Sequence, residues 1–212
     1  MWYIVYVLLQ WPHTFAKIAG TLLVAFSQGR TGWVAHECGH YSFSGSPQID
    51  RFVHNFLHGT ISGFSATWWK SGHNRHHAMP QRLNHDIDLD TVPLLAYNTK
   101  VVKKVDDGKG LFIKYQTYLF PVVTTLLGGL FWRWYSVPRF VIKHTLYAEI
   151  GVMLSHYVVY FYFLGFWGWF TTGWIPAIYV FLNFALSHTY LPVTTQPTHW
   201  VEYALVHTAD VQ

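Results

Sequence analysis

The sequence predicts an all-α membrane protein, a transmembrane helical bundle with clustered histidines at one membrane face. Three observations lead there. Charged residues make up only 11% of the 212-residue chain, well below the roughly 25% usual in soluble domains. Long apolar runs recur, and the aromatic fraction of 19% supplies Trp and Tyr side chains that favour the headgroup level of a bilayer. Histidines gather in two dense clusters, HECGH with His36 and His40 and HNRHH with His73, His76 and His77. Residues three or four apart share a helical face, so each cluster can aim at one point.

The remaining composition narrows the function. Mean hydropathy is a modest +0.18 because fourteen His, fourteen Tyr and eleven Trp are polar at their tips. The net charge of +4 comes from sparse basic residues mixed with acids, a pattern that speaks against a nucleic-acid partner and fits a cytoplasmic membrane face. Cys38 is the single cysteine, which excludes an intrachain disulfide framework. The length suits one domain, residues 1–212.

Taken in order, MWYIVYVLLQ is too short to cross a bilayer, which takes about 20 residues, and it lacks the basic start and cleavage site of a signal peptide. The first span is expected over 15–35, with HECGH on its last turns and Arg30 facing protein rather than lipid. After a turn at 45–50, residues 52–69 are apolar and aromatic but broken by Gly59 and Gly63. They read as an interfacial helix whose Trp68 and Trp69 sit at headgroup level. Residues 70–110 turn polar, with HDIDLD and a lysine-rich stretch, as befits a cytosolic segment. Further spans are expected over 111–134, kinked by Pro121 and Gly128–Gly129, and over 147–170 and 174–188, paired as a hairpin turning at TTGW.

An isolated histidine in such a chain is ordinarily a hydrogen-bonded helix residue. Five in two tight clusters predict a transition-metal site instead, because neutral imidazole binds iron and zinc well. HECGH is close to the HExxH signature of zinc proteases, which would make Glu37 a general base. That reading leaves HNRHH unexplained, and five ligands exceed the three of a catalytic zinc, so two irons fit better. His54 and His58 repeat the four-residue spacing without acidic company; His54 is a candidate for hydrogen bonding behind the ligands, as are Asn183, Asp86 and His207. His188 closes the last apolar run and is a candidate for another ligand. The aspartates after His85 lack the pattern of an EF-hand.

With GRTGWVAHECGHYSF, GFSATWWKSGHNRHHAMPQRLNHDIDLDTVPL and NFALSHTYLPV, the chain resembles the membrane fatty acyl desaturases from about Gly20 onward, most closely the front-end (delta-5/delta-6-like) branch. Enzymes of that branch insert a double bond between an existing one and the carboxyl end. The resemblance implies helices crossing the endoplasmic reticulum membrane and two iron ions held by histidine boxes. His36 and His40 match the first box, His73, His76 and His77 the second, and His188 lies where an additional ligand falls. It also implies dioxygen activation at the irons, a fatty acyl substrate, and electrons from cytochrome b5 and its reductase. The family's third box, H/Q-x-x-H-H, does not occur before Gln212, nor does an HPGG-type haem motif. The expectation is therefore a partial desaturase domain, inactive as it stands, whose full-length parent is the enzyme. Two alternatives stay open: a related diiron lipid hydroxylase or sphingolipid desaturase, and a non-enzymatic membrane protein that retains a metal site.

Overall fold

The computed structural model describes residues 1–89, 91, 94–102, 109–188, 191–196 and 198–207, except for the side chains of residues 2, 187 and 188. Among the described residues the chain is helical, with only an isolated parallel bridge between Arg82 and Thr194. The helices are α1 Trp2–Gln10, α2 Thr14–Gly39, α3 Pro47–Phe56, α4 Ala66–Ala78, α5 Thr99–Val102, α6 Leu111–Lys114, α7 Gln116–Thr124, α8 Val137–Lys143, α9 Tyr147–His188 and α10 Trp200–His207. Wide π turns continue α3 over Leu57–Ile61 and α7 over Thr125–Ser136. The chain divides into two compact units, one of Met1–Lys70 with Thr124–Val180 and another of Ser71–Val123 with Phe181–Gln212.

In the first unit α1 lies on α2, where Gly20 lets Leu8 and Leu9 approach to about van der Waals contact. Val5, Val24, Tyr160 and Trp169 form the buried core there. The residues of α9 decide how its two halves run. His156 and Trp169 are thirteen apart, which would separate them by about 20 Å along a straight helix. Yet Trp169 Nε1 donates to His156 Nε2 at 3.0 Å. The chain therefore doubles back between them, at Gly165, whose φ of 65° and ψ of −177° fall in a region open essentially to glycine alone. The hairpin expected from the sequence is present, but its reversal is at Gly165 and not at TTGW. The sequence around 171–174 remains helical because Thr171 and Thr172 hydroxyls bond back to Trp167 and Trp169 carbonyls while their backbones continue the ladder. By length and composition, the stretch Tyr147–Leu186 that these two halves make up is the candidate for membrane crossing among the described residues, with mean hydropathy 1.4 and only 17% of its most apolar part buried. Its outward side chains include Val158, Tyr162 and Trp167.

The interfacial helix expected over 52–69 is instead two helices with a turn between them. Gly63 takes φ 70°, and a Cβ there would meet the His156 ring at 2.8 Å. Ser65 then caps α4, its hydroxyl accepting from Trp68 N at 2.9 Å and donating to Glu149 Oε2 at 2.5 Å. Glu149 also accepts from Thr67 N at 3.3 Å and from its hydroxyl. A carboxylate at that helix start meets unsatisfied N–H groups. At the other end of the turn, Arg133 Nη2 donates to the Ser62 carbonyl at 2.7 Å, satisfying the end of the π turn. Arg133 is 4% exposed and lies over the faces of Phe64 and Trp169.

In the second unit Leu83, Leu89, Val101 and Val193 form a small core. Backbone bonds tie the segments at 81–83 and 194: Leu83 N donates to Thr194 O at 3.0 Å and Thr194 N to Gln81 O at 3.1 Å. Gln116 hydrogen-bonds both backbone groups of Ala96, and Lys100 Nζ donates to Val193 O at 2.7 Å. The middle of the lysine-rich stretch, residues 103–108, and Asp90 lie outside the described residues.

Candidate metal centre

The first histidine pair stands on the last turns of α2. His36 and His40 face the same way, with ring centroids 4.6 Å apart, as a four-residue helical spacing requires. The helix stops at His40, whose N–H still reaches His36 O and Glu37 O, and Tyr41 adopts a left-handed φ of 60°. Glu37 is not placed as a protease base. Its Oε1 lies 3.0 Å from His36 Nδ1 and its Oε2 accepts from Ser42 Oγ at 2.9 Å. The hydrogen bonds from His36 and Ser42 hold its carboxyl below the ordinary carboxylate range. A carboxylate on Nδ1 fixes the tautomer and presents Nε2 for coordination. The sequence pattern pointed to this residue but not to this role.

Trp69 is the wall of this set. Its ring lies 5.7 Å from His36, 6.5 Å from His40, 5.3 Å from His54 and 5.2 Å from His58. Gly39 makes room for it, since a Cβ there would sit 2.4 Å from the indole. His54 and His58 form their own pair, 4.6 Å between ring centroids. Burial lowers His54 to about 4 and His58 to about 3, so both are neutral across the physiological range. His54 is 4% exposed, and its Nε2 has no protein partner.

The second set stands on α4. His73 and His77 bring their Nε2 atoms within 3.0 Å of each other, two imidazole nitrogens converging on one point. His76 leaves that helix on another side and is buried, with Nδ1 2.9 Å from Asp86 Oδ1 and 3.2 Å from Asp88 Oδ2. Asp86 is itself locked, accepting from Gln81 N at 2.7 Å and Asp88 N at 2.9 Å. Burial pulls the His76 pKa down, but the Asp86 hydrogen bond and the charges of Asp88 and Asp86 outweigh it, and the net shift is upward. Burial likewise pushes Asp88 up to about 6, with His76 opposing and Asp86 adding. His76, Asp86 and Asp88 are close enough to hold a cation by themselves. The short Nδ1–carboxylate bonds favour the other arrangement, in which the acids orient His76 and Nε2 coordinates. The sequence offers the aspartates of HDIDLD as supports for histidines, and Asp88, two residues after Asp86, lies beside His76 with it.

The other expected residues are placed less fully. Asn183 lies on the final turns of α9, and five residues on a helix turn about 140° away from a shared face. His188 ends that helix, and its side chain lies outside the described residues. His207 is buried at the end of α10, with Nδ1 2.5 Å from the Pro192 carbonyl and its ring on Tyr203. Tyr203 in turn donates to Pro80 O, so this pair fastens α10 to its own unit.

Imidazole sets with carboxylate-fixed tautomers fit iron, for which histidine and oxygen donors are suitable ligands. An acyl-lipid (8-3)-desaturase of Thraustochytrium sp is 39% identical over 92% of this chain and 47% of its own length. One from Rebecca salina is 39% identical over 93% of the chain and 48% of its own length. An acyl-lipid (9-3)-desaturase of Physcomitrium patens is 27% identical over 95% and 42%. The (8-3)-desaturases are front-end enzymes, the branch that the motifs resemble. The chain spans about half the length of these curated relatives. No solved structure matches it significantly. The family description "Fatty acid desaturase" matches residues 11–212, and the chain belongs to that family.

Proposed function

We propose that the complete protein is a front-end acyl-lipid desaturase of the endoplasmic reticulum membrane, whose helices form a spanning bundle under a cytosolic cap. His36, His40, His73, His76 and His77 ligate two iron ions, with His188 as a further ligand. The observation that carries this is the repeated pairing of a box histidine with a carboxylate at Nδ1: Glu37 on His36 and Asp86 with Asp88 on His76. Bound iron supplies dioxygen activation and the removal of two hydrogens from adjacent methylenes.

The chain's own residues do the rest. Glu37, Asp86 and Asp88 keep the Nδ1 protons in place, so that Nε2 is the coordinating atom. Trp69 presents an apolar wall to an acyl chain and keeps water from the histidines. Each methylene buried against such surface contributes about 0.8 kcal/mol to binding and fixes the register of the reacting carbons. Cytochrome b5 and its reductase supply the electrons.

The test is expression of the complete reading frame in a host with defined fatty acids, followed by lipid analysis. A new double bond on the carboxyl side of an existing one is expected. A hydroxylated product would replace this reading with the hydroxylase, and a sphingolipid product with the sphingolipid desaturase. His76→Ala should abolish the product while the protein still inserts into membranes; unchanged product would sink the ligand assignment.

A further inference from the structure

Arg133 is buried in the first unit, at 4% exposure, on a segment that the sequence reads as membrane-spanning. Its guanidinium lies over two aromatic faces, 5.2 Å from the centre of the Phe64 ring and 5.5 Å from that of Trp169. Nη2 donates to the Ser62 carbonyl at 2.7 Å, while Nε is buried without a hydrogen-bond partner among the described residues. No carboxylate pairs with Arg133 among those residues either. Aromatic faces and one carbonyl soften the charge but do not cancel it. A buried charge left unpaired is costly, and an ionisable side chain within a membrane segment ordinarily marks a site.

Beside this charge is a recess with about 210 Å³ of open space, lined by Arg133 together with Thr125, Gly129, Phe170, Gly173 and Trp174. Gly173 keeps the guanidinium open to it, since a Cβ there would stand 2.8 Å from Nη1. Gly129 leaves further room: a Cβ would meet Thr125 Cγ2 at 3.7 Å, an ordinary contact. Trp174 is 41% exposed, so the recess reaches the outer surface of the unit. None of the candidate metal ligands lines it.

We infer that Arg133 binds the carboxylate of an unesterified fatty acid, whose tail leaves the recess along Phe170 and Trp174. The interior admits about one water-sized group. A water there would satisfy Nε but leave the charge, and a phosphate is bulkier and tetrahedral. A carboxylate is planar, carries one negative charge and matches the fork of a guanidinium. An acyl chain attached to the carboxylate suits the aromatic lining and the lipid setting. An acyl lipid has an ester in place of that carboxylate, so this ligand is not the substrate proposed above.

The test measures binding of radiolabelled oleate, methyl oleate and oleyl phosphate to the purified complete protein in phosphatidylcholine nanodiscs. Oleate should bind saturably, and methyl oleate about tenfold more weakly, because only the acid offers a charge-assisted bond. Arg133→Gln, whose amide can still donate to the Ser62 carbonyl, should lower oleate binding to the level of the ester and leave the ester unchanged. Gly129→Leu fills the recess with Arg133 in place and should weaken oleate as well; it decides the matter where Arg133→Gln fails to fold. Oleate and methyl oleate bound alike by the wild type would overturn the site, as would oleate binding that both variants retain. Oleyl phosphate bound more tightly than oleate would overturn the carboxylate assignment in favour of a phosphate.

Discussion

Asp86 Oδ1 holds His76 Nδ1 at 2.9 Å, and both side chains are buried, at 2% and 6% exposure. Removing one partner of such a pair leaves the imidazole unanchored. Carboxylates behind metal-ligating histidines typically contribute about 10- to 100-fold in metal affinity or activity. Asp86→Ala should therefore lower iron retention by about that factor, measured as iron per chain after dialysis. Asp88→Ala should have a smaller effect, because Asp86 still holds Nδ1. Equal iron content in wild type and Asp86→Ala would refute the positioning role.

Trp69 occupies the space that a Cβ at Gly39 would take, at 2.4 Å. Gly39→Ala should push the indole off the histidines without adding charge or polarity. The expected result is a folded membrane protein with reduced iron content and altered tryptophan fluorescence. Full iron retention together with an unmoved emission maximum would show that Trp69 does not depend on that gap.

Gly165 and Gly151 both have open space where a Cβ would go, yet only Gly165 has positive φ. Alanine should destabilise at Gly165 by about 1–3 kcal/mol through backbone strain alone. At Gly151, inside a regular helix, alanine should instead stabilise by about 0.5–1 kcal/mol. Detergent-denaturation midpoints of the two variants should move in opposite directions.

Ser65 is fully buried at the start of α4 and accepts from Trp68 N. Ser65→Ala removes that cap and one donor to Glu149, at a cost of about 1 kcal/mol. Thermal melting of Ser65→Ala should drop accordingly, and hydrogen exchange at Thr67 and Trp68 should quicken. Unchanged protection at these amides would contradict the cap.

Glu37 has its pKa lowered in the folded state by His36 and Ser42. A depressed carboxylate contributes stability above its unfolded value, near 4.5, and loses it as pH falls through the folded value. The iron-free protein should then be more stable than Glu37→Gln at pH 7, and the gap should close as the pH is taken below 4.5. A gap that persists at acid pH would assign the difference to shape and not to charge.

Helical character, the membrane setting and the two histidine sets were legible from the sequence, because composition and three- or four-residue spacing act locally. His36 with His40 and His73 with His77 pair as helical geometry demands. The position of the α9 reversal was not legible. TTGW looks like a turn by composition, but Gly165 carries it, and His156 reaching Trp169 across the hairpin reveals it. The break of 52–69 depended in the same way on Glu149, far along the chain, arriving at the start of α4. Sequence by itself determined which residues have the chemistry of metal ligands. Only tertiary structure decided which acids stand behind them, because a hydrogen bond such as Asp86 to His76 forms when loop and helix fold together. No periodicity encodes that meeting.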